Sequence, residues 1–319
     1  MGFLQSMRVT GLAVLQILLL GAIGYLLVKK NILKDEGLDA LSRLAIDVTL
    51  PVLIFCQLVR DFSFQQYATW WLFPLLSIAI SIAGFVAGCI FVGFLKGEQR
   101  KVQFLSLVSF QNSGYLPLVL IAGLLPLEKV GTMFIYLFLF LTGFNLLMFS
   151  AGVHLLTFHK ERRFEWESLF SPPVVATIAG LAVVFFGLGQ FVPQTVLKPL
   201  RMLGDCTLPL AMLVVGASLA QIKLKQVNLK AMALMVAAKM IILPLLGLWL
   251  VLSLKLPQLL GLLIVIQLAM PPATTLSLII RHYNKEDLLI SQGIFIGHIV
   301  GLFSVPLILS LYFMHFMIR

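Results

Sequence analysis

Charge is what this chain of 319 residues has least of. Asp, Glu, Lys and Arg make up 11% of it, against about 25% in ordinary soluble domains. Polar sequence is so scarce that no soluble domain fits anywhere: the longest polar stretch, Thr157 to Phe170, is only a connector. No G-x-x-x-x-G-K-[ST] phosphate loop occurs, so ATP is not expected to drive the protein directly. H-E-x-x-H is missing, and G-A-S-L at 216–219 lacks the glycine of a rhomboid-type G-x-S-G. The three cysteines, Cys56, Cys89 and Cys206, are odd in number, lie in apolar runs and show no metal spacing. Neither a metal site nor any other cofactor is expected.

What the chain has instead is hydrophobic residues, 60% of the total. Apolar runs of about 20 residues, long enough to span a hydrocarbon core, recur along its length. They read as ten spans: Val9–Val28, Leu38–Leu58, Trp70–Leu95, Val102–Leu125, Gly131–Leu156, Pro172–Leu188, Leu197–Ala220, Ala231–Leu252, Leu259–Ile280 and Leu288–Met314. The expected fold is therefore an all-α polytopic membrane protein. The net charge of +10 could signal nucleic acid, but its distribution argues against that partner. Odd-numbered connections carry fourteen Lys and Arg residues (among them Lys29, Lys96, Lys160, Lys223 and Arg281); the other side, termini included, carries six. That alternation is the positive-inside pattern. It places both termini outside the cytoplasm, in a protein of the inner or plasma membrane. The first span has only Arg8 before it, no small-residue cleavage site, and Lys29-Lys30 after it, so it reads as a retained helix.

One phrase occurs twice. Residues 43–51 read R-L-A-I-D-V-T-L-P and residues 201–209 read R-M-L-G-D-C-T-L-P, an offset of 158 positions that Glu128/Glu286 and Gly143/Gly301 share. Five spans per copy is an odd number, so the halves 1–158 and 159–319 are expected to form a 5+5 inverted repeat, a transporter architecture. Within each copy the Arg lies four residues before the Asp, on a shared helix face, and the Asp carbonyl is the one that the following proline displaces. Asp47 and Asp205 read either as carriers of a proton or cation or as partners in neutralising Arg43–Asp47 and Arg201–Asp205 pairs.

Span four contains Gln111-Asn112-Ser113-Gly114-Tyr115-Leu116-Pro117, and span nine contains Gln267 followed by Pro271-Pro272-Ala273-Thr274-Thr275. Polar, Gly- and Pro-containing clusters in the middle of apolar helices predict breaks, tolerated only where protein or water satisfies the freed backbone. Each break exposes a half-helix N-terminus carrying about half a positive charge, and two such ends near the midplane would attract an anion. Three isolated polar residues complete the candidates. Lys239 is nine residues beyond Lys230, about 14 Å along a helix, too deep to snorkel; it reads as a partner for an anion, for an Asp or for a backbone carbonyl. His298 reads as a proton relay or as a satisfied hydrogen-bonding residue. Asn145 either faces broken helix four or bonds between helices.

The stretches N-S-G-Y-L-P at 112–117, T-L-P-V-L-I-F at 49–55, T-L-P-L-A-M-L-V-V-G-A-S-L at 207–219 and A-M-P-P-A-T at 269–274 resemble the auxin efflux carrier family over essentially the whole chain. That family includes plant auxin exporters and bacterial carriers proposed for malonate and malate. The resemblance implies a fold similar to bile-acid and sodium/proton transporters, with broken helices four and nine crossing in a domain that moves against a scaffold of spans one, two, six and seven. It also implies a homodimer and, at the crossover, Asn112, Gly114 and Pro117. The chain departs from the family pattern where Pro117 stands in place of a glycine and Val119 in place of the proline.

The reading is a secondary carrier for a small organic anion, a carboxylate, with coupling to protons, sodium or membrane potential left open. Gln111, Asn112, Ser113, Gly114, Tyr115, Pro117, Asn145, Gln267, Pro271, Pro272, Thr274 and Thr275 are the substrate-site candidates. Asp47, Asp205, Lys239 and His298 are the coupling candidates. The competing readings are an intramembrane aspartyl protease using Asp47 and Asp205, and a transporter-like sensor or channel.

Overall fold

A chain with so little charge can satisfy its backbone in lipid only by bonding it internally, which favours helices. The computed structural model describes residues 2–157, 170–222, 227–282 and 288–316. Among these the structure is nearly all helical, with one isolated β-bridge. In order the helices are α1 (Phe3–Lys29), α2 (Asp35–Asp61), α3 (Leu72–Val92), α4 (Glu98–Ser109), α5 (Tyr115–Leu124), α6 (Leu127–Leu156), α7 (Pro172–Phe185), α8 (Gln194–Gln221), α9 (Leu229–Ser253), α10 (Gln258–Ala269), α11 (Thr275–His282) and α12 (Leu288–His315). Seven among the described residues are long and apolar enough to cross a membrane: α1, α2, α3, α6, α8, α9 and α12. The fourth and ninth expected spans are each divided in two, into α4 with α5 and α10 with α11. The sixth is the 14-residue α7, about 21 Å long, which stops where Gly187 takes a left-handed φ of 67°.

Basic residues of three expected connectors (Lys160, Arg162 and Arg163; Lys223 and Lys225; Lys285) lie outside the described residues, as do Glu286 and Arg319.

Two long helices contain a wide π turn just before a proline: Leu44–Thr49 ahead of Pro51 in α2, and Val236–Ile242 ahead of Pro244 in α9. A proline ring clashes with the carbonyl four residues earlier, and a wider turn moves that carbonyl aside. One expectation is corrected. Both side chains are exposed, and no Arg43–Asp47 ion pair forms. Nor do the exposed Arg201 and Asp205 of α8 pair; the ion pair present among the described residues joins Arg60 to its neighbour Asp61.

The helices fall into two groups in contact with each other. α8 packs on both α1 and α2, and α2 on α7; α3, α4, α6, α9, α10 and α12 form the other set, and α1 also lies along α12. Small residues permit close contact where lipid gives no hydrophobic drive between helices. A Cβ placed on Gly216 of α8 would lie 1.8 Å from the Gly21 carbonyl oxygen of α1, so those backbones touch directly. α5 is wedged between the groups, against α1, α8 and α6. Where α1 meets α12, the Thr10 and Ser310 hydroxyls are 2.8 Å apart and both donate to the Pro306 carbonyl at 3.1 and 2.6 Å.

Candidate functional site: two paired helix breaks

The polar cluster of the fourth span interrupts the helix over residues 110–114, and the double proline interrupts the ninth over 270–274. The two interruptions meet. Asn112 N–H donates to the Pro271 carbonyl at 2.8 Å, and Ala273 N–H donates to the Phe110 carbonyl at 3.0 Å. Together they form an antiparallel bridge between Gln111 and Pro272. Backbone freed from the helices is thus partly satisfied by the other break. Gln267, one turn before its own break, donates from Nε2 to the Ser113 carbonyl at 3.1 Å. Gln111, Asn112, Ser113, Gln267, Pro271 and Pro272 are all buried.

Several polar atoms here have no partner: Gln111 Nε2, Asn112 Nδ2, Tyr115 OH, Gln267 Oε1 and His298 Nε2. An unpartnered buried polar group costs about 1–3 kcal/mol, so each of these atoms would gain from a hydrogen-bonding partner. Two helices begin at the breaks. α5 begins at Tyr115 with no side chain capping it, and Pro117 sits in its first turn, where a missing N–H is tolerated. α11 begins at Thr275, with Thr274 immediately before it.

Lys239, on the π turn of α9, is 1% exposed. Among the described residues its Nζ reaches Gln111 Oε1, at 3.5 Å, and no carboxylate within 4 Å. His298, on α12, donates from Nδ1 to the Ile294 carbonyl at 2.7 Å. That bond leaves Nε2 bare, beside Met270 and Pro271, on the wall of a cavity of about 460 Å³. The rest of that wall is almost wholly apolar, drawn from α1, α5, α8 and α12.

The profile of the family described as membrane transport protein matches residues 10–163 and 157–309, nearly the whole chain. The chain belongs to that family, the auxin efflux carriers. An uncharacterized transporter of Methanothermobacter thermautotrophicus is 26% identical over 305 residues, covering 92% of this chain and 95% of its own length. Another, from Methanocaldococcus jannaschii, is 28% identical over 228 residues, 66% of this chain and 70% of its own. Protein PIN-LIKES 6 of Arabidopsis thaliana is 27% identical over 124 residues, 38% of this chain and 29% of its own length.

Other candidates lie outside the meeting point in this family member. Asn145 is half-buried on α6 with no side-chain hydrogen bond, and it is Leu141, one turn earlier, that lies against Gly114. Asp47 is exposed and within electrostatic range of Tyr115, whereas Asp205 acts on Cys56 and Arg60. Asp205 is exposed as well. Sequence reasoning marked Gly301 as part of the repeat but missed the α12 stripe that it forms with Gly293 and Gly297. A Cβ on Gly297 would meet Pro272 Cδ at 2.5 Å, so this glycine lets the second break press against α12. The four-residue spacing of small residues was the available signal.

Proposed function

We propose that the chain is a secondary carrier that moves a small organic anion, a carboxylate, through the cell membrane by alternating access. One observation carries the reading: the two breaks meet, and to them belong the uncapped start of α5, the start of α11, and the spare amide donors of Gln111 and Asn112, with Tyr115 OH unpartnered at the head of α5. Donors and positive dipole ends favour negative charge. Asn112 and Gln111 donate to the anion, Ser113, Thr274 and Thr275 orient it, and Gln267 holds the two breaks in register. Tyr115 shields the bound group from the α1 side.

The ten-span, 5+5 inverted arrangement accounts for the paired breaks as equivalent elements of opposed halves. α1, α2, α7 and α8 then form a scaffold and the remaining group moves, carrying both breaks. Scaffold-mediated homodimerisation and non-cytoplasmic termini complete the proposal. Coupling runs through membrane potential, protons or sodium, which imposed gradients separate.

The test is uptake into proteoliposomes of labelled mono- and dicarboxylates under imposed pH, sodium and voltage gradients. Saturable counterflow is expected, with Asn112→Ala weakening apparent affinity at least about tenfold, as loss of a hydrogen bond to a charged group implies. Full transport by that variant at unchanged affinity refutes the site. Non-saturable flux identifies a channel, and peptide cleavage without flux identifies a protease.

A further inference from the structure

Lys239 is buried, and among the described residues no carboxylate compensates it. The π turn that carries it packs against α3, α4, α10 and α12. α3, α10 and α12 contain no Asp or Glu at all. The one acid of α4, Glu98, stands at its far end, thirteen residues before Gln111 and about 20 Å away along the helix. His298 is the titratable residue of α12 at this depth, and its bonded ring nitrogen faces its own helix. A lone ammonium out of water is expensive unless paired, and the amide oxygen of Gln111 at 3.5 Å is a dipole, not a counter-charge. By accepting from Lys239, that oxygen also leaves Gln111 Nε2 as an unused donor beside Asn112 Nδ2.

We propose that Lys239 is the resident counter-charge of the cargo: the paired breaks hold one negative group as an ion pair with this ammonium, and the site prefers a singly charged carboxylate over doubly charged or uncharged analogues. This rests on the anion-carrier reading and specifies its substrate class. The loaded site is electrically balanced by a protein side chain, so no metal cation has to enter with the anion. A second carboxylate on the same molecule would meet the nearly all-apolar wall beside Pro271 and stay unpaired. An amide would leave the ammonium uncompensated.

The experiment uses the full chain purified in detergent and three six-carbon probes matched in size: hexanoate, adipate and hexanamide. Ligand-dependent thermal shift and calorimetry read the affinities. Wild type is expected to bind hexanoate tightest. Lys239→Gln should lower hexanoate affinity at least about tenfold and leave hexanamide unchanged, so that discrimination by charge collapses. Lys239→Arg should restore most of it, which a purely packing role would not produce. Lys239→Met should melt higher than wild type without ligand, because an apolar chain of similar length replaces an unpaired ammonium; it also serves as the test protein if the Gln variant does not fold. Hexanoate affinity unchanged by Lys239→Gln but lost in Asn112→Ala overturns the Lys239 assignment and leaves the anion site standing. A wild type that responds to neither carboxylate overturns both.

Discussion

Adding one methyl group to Gly297 should disturb the paired breaks, and the same change one turn away should not. A Cβ on Gly297 would lie 2.5 Å from Pro272 Cδ and 3.3 Å from its Cγ, closer than carbon atoms tolerate. The Pro272 ring has little freedom to yield, since the residues on either side hydrogen-bond to the other break. At Gly301 the corresponding Cβ would meet Met240 Cε at 3.6 Å and Pro271 Cδ at 3.8 Å, ordinary contact distances. Both alanines gain about 0.5–1 kcal/mol of helix preference over glycine, and that gain cancels in the comparison. What remains is overpacking at Gly297 alone, about 1–3 kcal/mol. Melting temperature moves by about 2–4 °C per kcal/mol in domains of 150–250 residues and less in longer chains. Gly297→Ala is therefore expected to melt a few degrees below Gly301→Ala in detergent, and to transport more slowly in counterflow. Equal or higher melting of Gly297→Ala, with unaltered transport, would refute the close packing of break against α12.

Asp47→Asn and Asp205→Asn should each change stability by no more than about 0.5 kcal/mol, the usual range for surface substitutions, because neither carboxylate has an ion-pair partner within 4 Å; thermal melts decide, and a loss of several kcal/mol would restore the Arg–Asp pairs. Gly216→Val should yield little folded protein, since even a Cβ there would fall 1.8 Å from a backbone oxygen of α1, while Gly11→Ala, with nothing within 4 Å, should behave as wild type in size-exclusion chromatography. Thr10→Val should cost about 1 kcal/mol, the scale of an interhelical hydrogen bond in lipid, measured as a lowered melting temperature.

How much of this could be read in advance depended on whether the signal was local. The breaks were legible, because Gly114, Pro271 and Pro272 disrupt a helix wherever they stand, and polar residues beside them can only face protein or water. The apolar lengths located most helices within a few residues. The Arg43–Asp47 and Arg201–Asp205 pairings failed because a four-residue spacing permits a contact without enforcing it, and exposed side chains such as these gain little by pairing. The α1–α8 contact through Gly21 and Gly216, some two hundred positions apart, left no mark in either helix alone. Nor could the sequence reveal that Lys239 reaches Gln111 rather than an acid, because that depends on how α9 and the first break are juxtaposed.

The two backbone hydrogen bonds that link residues 110 and 112 to residues 273 and 271 also constrain motion. Pro272 has no N–H, so it offers no donor with which to lengthen this short ladder in a new register. The first interruption cannot slip along the second without breaking both bonds. The proposed alternating access therefore carries both interruptions as a single rivet.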